Sequence, residues 1–171
     1  FRGNENIARA GTATQSSTAP GGEPEHANDG NTDQSFSGGS VTLNGAAEDP
    51  GWWEVDLGAT KPIGRVDIWF RTLTADECQA LFNSCGVRND DFTIQILDQS
   101  RNVLWKRTYP GRPPTSVPYN QAVALNGRFV RFESQTPLTT SDGFFSLAEV
   151  QVVAPYVGAS VTITKSPAST T

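Results

Sequence analysis

The chain has no methionine, one histidine and only two cysteines in 171 residues. No apolar run approaches the ~20 residues that span a bilayer, so no membrane insertion is expected. Thirteen Lys and Arg face eighteen Asp and Glu, for a net charge of −5, and no basic stripe breaks that balance. Nucleic-acid binding needs cations that neutralise phosphates, so it is excluded, and attraction to anionic lipid is weakened for the same reason. His26 with Cys78 and Cys85 does not make a zinc pattern, because no third thiol exists. There is no Gly-x-Ser-x-Gly, no sensibly spaced Cys–His pair and no histidine cluster. Gly38-Gly39-Ser40 lacks the lysine and helix of a phosphate loop. A glycosidase needs only two placed carboxylates, which sequence alone cannot exclude, but no catalytic function is expected. With Phe1 first, no Met and no signal peptide, the chain is expected to be a processed product or a piece of something larger.

What is present is turn chemistry and short β-type runs. Sixteen glycines and eleven prolines punctuate a chain of 36% apolar and 18% charged residues. Trp53, Val55 and Leu57 alternate onto one face. Ile63, Val66, Ile68 and Phe70 continue similarly, and Phe92, Ile94 and Ile96 precede the turn at 98–102 and a strand at 103–105. The pair 121–125 and 128–133 flanks Asn126-Gly127, a strong hairpin turn. Phe144 to Ala154 reads as a further strand and 157–164 as a last one. Residues 5–18 read as a short edge strand, and 75–82 as the one helix candidate. Such a pattern predicts an all-β antiparallel sandwich over 1–156, with 157–171 a terminal strand and a Ser/Thr/Pro-rich tail or linker.

Two segments more than a hundred residues apart carry candidate chemistry. Ala27-Asn28-Asp29-Gly30-Asn31-Thr32-Asp33 is a turn dense in oxygen donors, inside a long loop at 19–50 with almost no apolar period. Ser146 to Val152 is a strand with one acid, Glu149. Ca²⁺ takes six to eight oxygens from carboxylates and carbonyls. The two segments are expected to meet around one ion, because a loop with no core of its own needs something to order it. The two cysteines are expected to form a disulfide, since the rest of the chain looks extracellular. A helix would hold residues seven apart roughly 10 Å apart, too far for a bond that needs Cα atoms within about 7 Å, so a bonded pair makes that stretch a loop or broken turn.

The ordered series Asn6 to Ser17, Asp29-Gly30-Asn31-Thr32-Asp33, Trp52 to Gly58, Pro62 to Val66 and Ala148-Glu149-Val150 resembles discoidin-like, galactose-binding-type jelly rolls. Within that group it looks closest to the fucolectins, or F-type lectins. The resemblance covers about residues 5–154. It implies a β-sandwich jelly roll with a structural calcium on the carboxylates of Asp29 and Glu149, the carbonyls of His26, Asn31 and Ala148, and Ser40. It also implies a sugar site of one histidine and two basic residues beside adjacent cysteines. Here Arg71-Thr72 matches the start of that stretch and Cys85 followed by Arg88 resembles its end, but an insertion at 73–84 separates the cysteines. Leu43 stands where the family's histidine is expected. The ligand candidates are therefore Arg71 and Arg88, with Trp52 or Phe144 as an aromatic platform.

The expected function is a calcium-stabilised, lectin-like carbohydrate-binding module at the cell surface or outside the cell, for a fucose- or galactose-type glycan. The alternative is a structural or adhesive subunit of an extracellular filament or coat, as a homo-oligomer or larger assembly. An outward insert exposing Leu81 and Phe82 would suit the second reading.

Overall fold

The computed structural model describes residues 5–45, 50–72, 91–111, 118–134 and 145–155. Among these, three 3₁₀ turns (Ile7–Ala10, Pro24–Ala27, Phe36–Gly38) accompany six strands: β1 (Thr12–Gln15), β2 (Trp52–Phe70), β3 (Phe92–Leu97), β4 (Val103–Tyr109), β5 (Tyr119–Ser134) and β6 (Leu147–Val153). Every pairing is antiparallel. The order is β1-β2-β5-β3-β4, with β6 on β2. No helix among the described residues is long and apolar enough to cross a membrane.

The strands bend to make two layers. β5 is 16 residues long, about 50 Å if straight. Yet the Tyr119 ring at its start lies 5.6 Å from the Phe92 ring, and Phe92 pairs with Ser134 at its end. β2 bends with it. Its register shifts between Asp56 and Lys61, where Gly58 sits at φ 81° and its N–H donates to Asp56 Oδ1 at 2.8 Å. A bulge of this kind kinks a long strand without ending it. Phe70 then meets Phe92 at 5.1 Å and Phe132 at 5.8 Å across the core. The inward positions of the alternating runs, Trp53, Val55, Leu57, Ile94, Ile96, Val150 and Val152 among them, are buried. Each such side chain contributes roughly 1.5–3 kcal/mol.

Three expectations are corrected. The runs at 52–57 and 62–71 are one strand, not two. The runs at 121–125 and 128–133 are also one strand, so Asn126-Gly127 is not a hairpin turn. Asn126 pairs with Pro62 and Gly127 with Lys61. Glycine is needed there for space, since a Cβ would lie 2.3 Å from Ile96 Cγ2. The edge strand expected over 5–18 shrinks to Thr12–Gln15, after the first 3₁₀ turn. The expected helix at 75–82, the disulfide of Cys78 and Cys85, and the strand at 157–164 lie outside the described residues.

Candidate functional site

The early turn and the late strand do meet. Glu149 is fully buried on β6, and its Oε2 accepts the Gly30 N–H at 3.3 Å. Gly30 stands at φ 86°, a left-handed bend natural to glycine. Asp29 precedes it, exposed, with Oδ1 taking the Asn31 N–H at 2.6 Å. Burial pushes the Glu149 carboxyl up to about 8, and the charge of Asp29 adds to the rise while the Gly30 N–H and Arg9 oppose it. A buried carboxylate met by neutral donors is costly to ionise.

The other expected ligands take known places. Ala148 is buried beside Glu149. The buried Ser40 hydroxyl donates to the Asp33 carbonyl at 2.7 Å. Asn31 Oδ1 accepts the Asp33 N–H at 3.0 Å. His26 Nδ1 lies 3.4 Å from the Val41 carbonyl oxygen, and Nε2 lies 3.8 Å from Glu23. No group of three or more His, Cys, Asp or Glu gathers among the described residues, so an ion here must draw mostly on carbonyls. The donor set is oxygen, and Glu149 is a buried acid in want of charge. The site fits a hard divalent cation on chemistry.

Several residues of this joint escape sequence reading. Asn6 Nδ2 donates to Glu149 Oε1 at 3.3 Å, while Asn6 Oδ1 accepts the N–H groups of Ala8 and Val152 at 3.1 Å each. Asn28 Nδ2 donates to the Ala8 carbonyl at 2.8 Å. The first 3₁₀ turn is thus a third leg beside the loop and β6. Asn6 does open the first motif of the resemblance, but its partners are set only by folding. The loop has further ties. Thr42 N–H donates to the Leu147 carbonyl at 2.8 Å, Leu147 N–H donates to Thr42 Oγ1 at 2.9 Å, and Ser146 Oγ donates to the Thr42 carbonyl at 2.7 Å. The loop at 19–50 is therefore not ordered by an ion alone.

A second feature lies where β2 ends. The half-buried Arg71 guanidinium sits 4.8 Å from the centroid of Phe36. Gln34 fixes this arrangement: its side-chain amide donates to the Phe70 carbonyl, and its carbonyl accepts the Thr72 N–H at 2.9 Å. Phe36, unnoticed in the sequence because its loop shows no periodicity, is the aromatic at Arg71. Trp52 is elsewhere. Adjacent strand residues face opposite ways; Trp53 is in the core, and Trp52 faces outward with Arg131 4.2 Å from its ring centroid. The structure does not bring Trp52 to Arg71. Leu43 is half-buried, its N–H bonded to the Gly22 carbonyl at 3.0 Å. Arg88 and Phe144 lie outside the described residues, while Phe145 is buried in the core.

The sequence profile described as F5/F8 type C, NedA-like, galactose-binding domain matches residues 26–132. The chain belongs to that family. Among solved structures, this galactose-binding-type domain is similar to the lectin domain of lectinolysin complexed with Lewis b antigen. Identity is 30% and TM-score 0.74, over 90% of this chain and 99% of that one. It is also similar to a Streptococcus pneumoniae fucose-binding module, at 32% identity and TM-score 0.70, over 90% of this chain and 97% of that one. A fucolectin from striped bass (Morone saxatilis) serum shares the fold, at 22% identity and TM-score 0.70, over 88% of this chain and 49% of that one. No curated protein sequence matches. The galactose-binding-type jelly roll is therefore the fold, and the chain is a non-catalytic module of the lectin-like kind.

Proposed function

We propose that the protein is an extracellular carbohydrate-binding module, stabilised by calcium, with its glycan site at the end of β2 around Arg71. The observation that carries the reading is the Arg71 guanidinium over Phe36 at 4.8 Å. A sugar offers hydroxyls that accept from a cation and a C–H face that packs on an aromatic ring. An oriented guanidinium beside an aromatic ring supplies both kinds of contact in one place. The Lewis b and fucose ligands of the similar modules support a fucose-containing glycan. Leu43 offers no hydrogen bond where a histidine is expected, so the site would lean on apolar contact and on Arg71.

Calcium would be held by the Asp29 and Glu149 carboxylates, Ser40, and the carbonyls of His26, Asn31 and Ala148. When bound it would supply the charge that Glu149 otherwise lacks, and fix the rim that carries Phe36. Single sites of this type bind weakly, so avidity would come from several copies.

The test is a glycan array with calcium and again with chelator, on wild type, Arg71→Ala and Phe36→Ala. Signal on fucosylated glycans that Arg71→Ala abolishes supports the reading; silence, or signal indifferent to both substitutions, overturns it. A structural subunit of an extracellular assembly is the second reading. It is favoured by Val103 and Leu104, 51% and 49% exposed on β4 at one end of the strand order. Concentration-dependent assembly together with a silent array would support it.

A further inference from the structure

We propose that Arg9 is the resident counter-cation of the Asp29–Glu149 pocket and sets how tightly that pocket takes a divalent ion. The inference rests on the calcium reading above. Arg9 closes the first 3₁₀ turn and is exposed. Its guanidinium nevertheless lies against the ion loop: a Cβ on Gly30 would stand 2.9 Å from both Cζ and Nε of Arg9. Gly30 is the residue whose N–H reaches Glu149 and whose neighbour is Asp29. One cation thus sits over the peptide that joins the two acids.

Its backbone is not free to drift. Asn28 Nδ2 bonds the carbonyls of Ala8 and Gly11 at 2.8 and 3.3 Å, on either side of Arg9. Asn6 Oδ1 holds the Ala8 N–H at 3.1 Å from the direction of Glu149. The two asparagines that brace the pocket also aim Arg9 at it. The electrostatic consequence has a definite sign. Without an ion, Arg9 offsets the negative charge of Asp29. When a divalent ion enters, the same guanidinium repels it. Arg9 therefore stabilises the ion-free protein and weakens calcium binding. Exposure keeps the effect modest and sensitive to salt. Glycine at position 30 also has a second role, since any side chain there would displace the guanidinium.

The experiment is calorimetric titration of the full chain with calcium chloride at low ionic strength, on wild type, Arg9→Gln and Arg9→Lys, with melting in chelator alongside. Arg9→Gln is expected to bind calcium about threefold or more tighter, with a gap that closes in high salt, and to melt lower than wild type in chelator. Arg9→Lys, which keeps the charge, should stay within about twofold of wild type. Equal or weaker calcium binding by Arg9→Gln overturns the proposal and makes Arg9 a prop for the loop. If no variant binds calcium, the calcium reading itself has failed and this inference falls with it, a result distinct from equal binding.

Discussion

Among the described residues three acids, Glu54, Asp67 and Glu149, are buried almost completely, and the two glutamates are balanced in opposite ways. Glu54 on β2 is 3% exposed; Glu149 on β6 is fully buried. Arg101 Nη1 grips both oxygens of Glu54, at 2.8 and 3.1 Å, and Arg131 Nη1 lies 3.6 Å away. Arg101 reaches across from the β3–β4 turn at φ 65°, a conformation uncommon for a residue with a side chain, and lies 4.2 Å from the Phe129 ring centroid. Glu149 receives the Asn6 side chain and the Gly30 N–H, both at 3.3 Å. Burying a carboxylate is tolerable when a guanidinium grips it directly and costly when the groups that hydrogen-bond to it are neutral dipoles. Glu54 carries its own compensation. Glu149 has no such grip, which is what the proposed calcium ion would supply.

The sharpest way to break this comparison is to neutralise each acid in turn. Glu54→Gln should lower the unfolding free energy by about 2–4 kcal/mol in urea, with or without calcium, since it leaves two arginines facing a neutral group. Arg101 is 56% exposed, so the loss should fall short of that for a fully enclosed pair. Next in size is the ion. Calcium at about 100 times its Kd should stabilise the wild type by about 2.7 kcal/mol, and should do nothing for Glu149→Gln. A melting temperature unmoved by calcium in the wild type would remove the contrast between the two acids.

A pH series sharpens the same point. In chelator, folded Glu149 holds its proton up to about 8, against 4.5 for an ordinary glutamate. The folded state then binds more protons than the unfolded state between those limits, so its stability falls as pH rises through that window. The melting temperature of the chelated wild type should drop by several degrees across the range, while Glu149→Gln stays flatter. Saturating calcium should flatten the slope, because the ion favours the carboxylate and so lowers the folded proton affinity towards the unfolded one. The smallest effect belongs to a pair at the surface. Arg128 grips Asp56 at 2.8 and 2.9 Å and holds that carboxyl below its usual range. Arg128→Ala should cost little stability near neutral pH, with wild type and variant converging in acid as Asp56 is protonated.

The parts of the fold legible in the sequence are those where one residue reports its own environment. Trp53, Val55 and Leu57 alternate because one face of a strand is wet, and that period survives in any surrounding. Asp29, Gly30 and Glu149 were legible by chemical type: oxygen donors, a bend, and an acid among apolar neighbours. Asn126-Gly127 misleads because glycine has two uses. A local reading sees a turn, whereas the structure uses the missing side chain to let Ile96 approach. Phe36 and Trp52 mislead together. Trp52 looks like a platform, but its partner is Arg131 on the outer face, and the ring beside Arg71 comes from a loop without periodicity.

By itself the sequence determined the all-β class, the inward faces of the strands, and the early turn and late strand that meet at Glu149. Those follow from short-range patterns and from the chemistry of single side chains. Only the tertiary structure decided that β2 and β5 run unbroken through their bends, that Asn6 and Asn28 brace Glu149 from a third segment, and that Arg9 rests on Gly30. Each of these is a contact between residues far apart in the chain. No local propensity encodes such a pairing, because it exists only once the layers have closed.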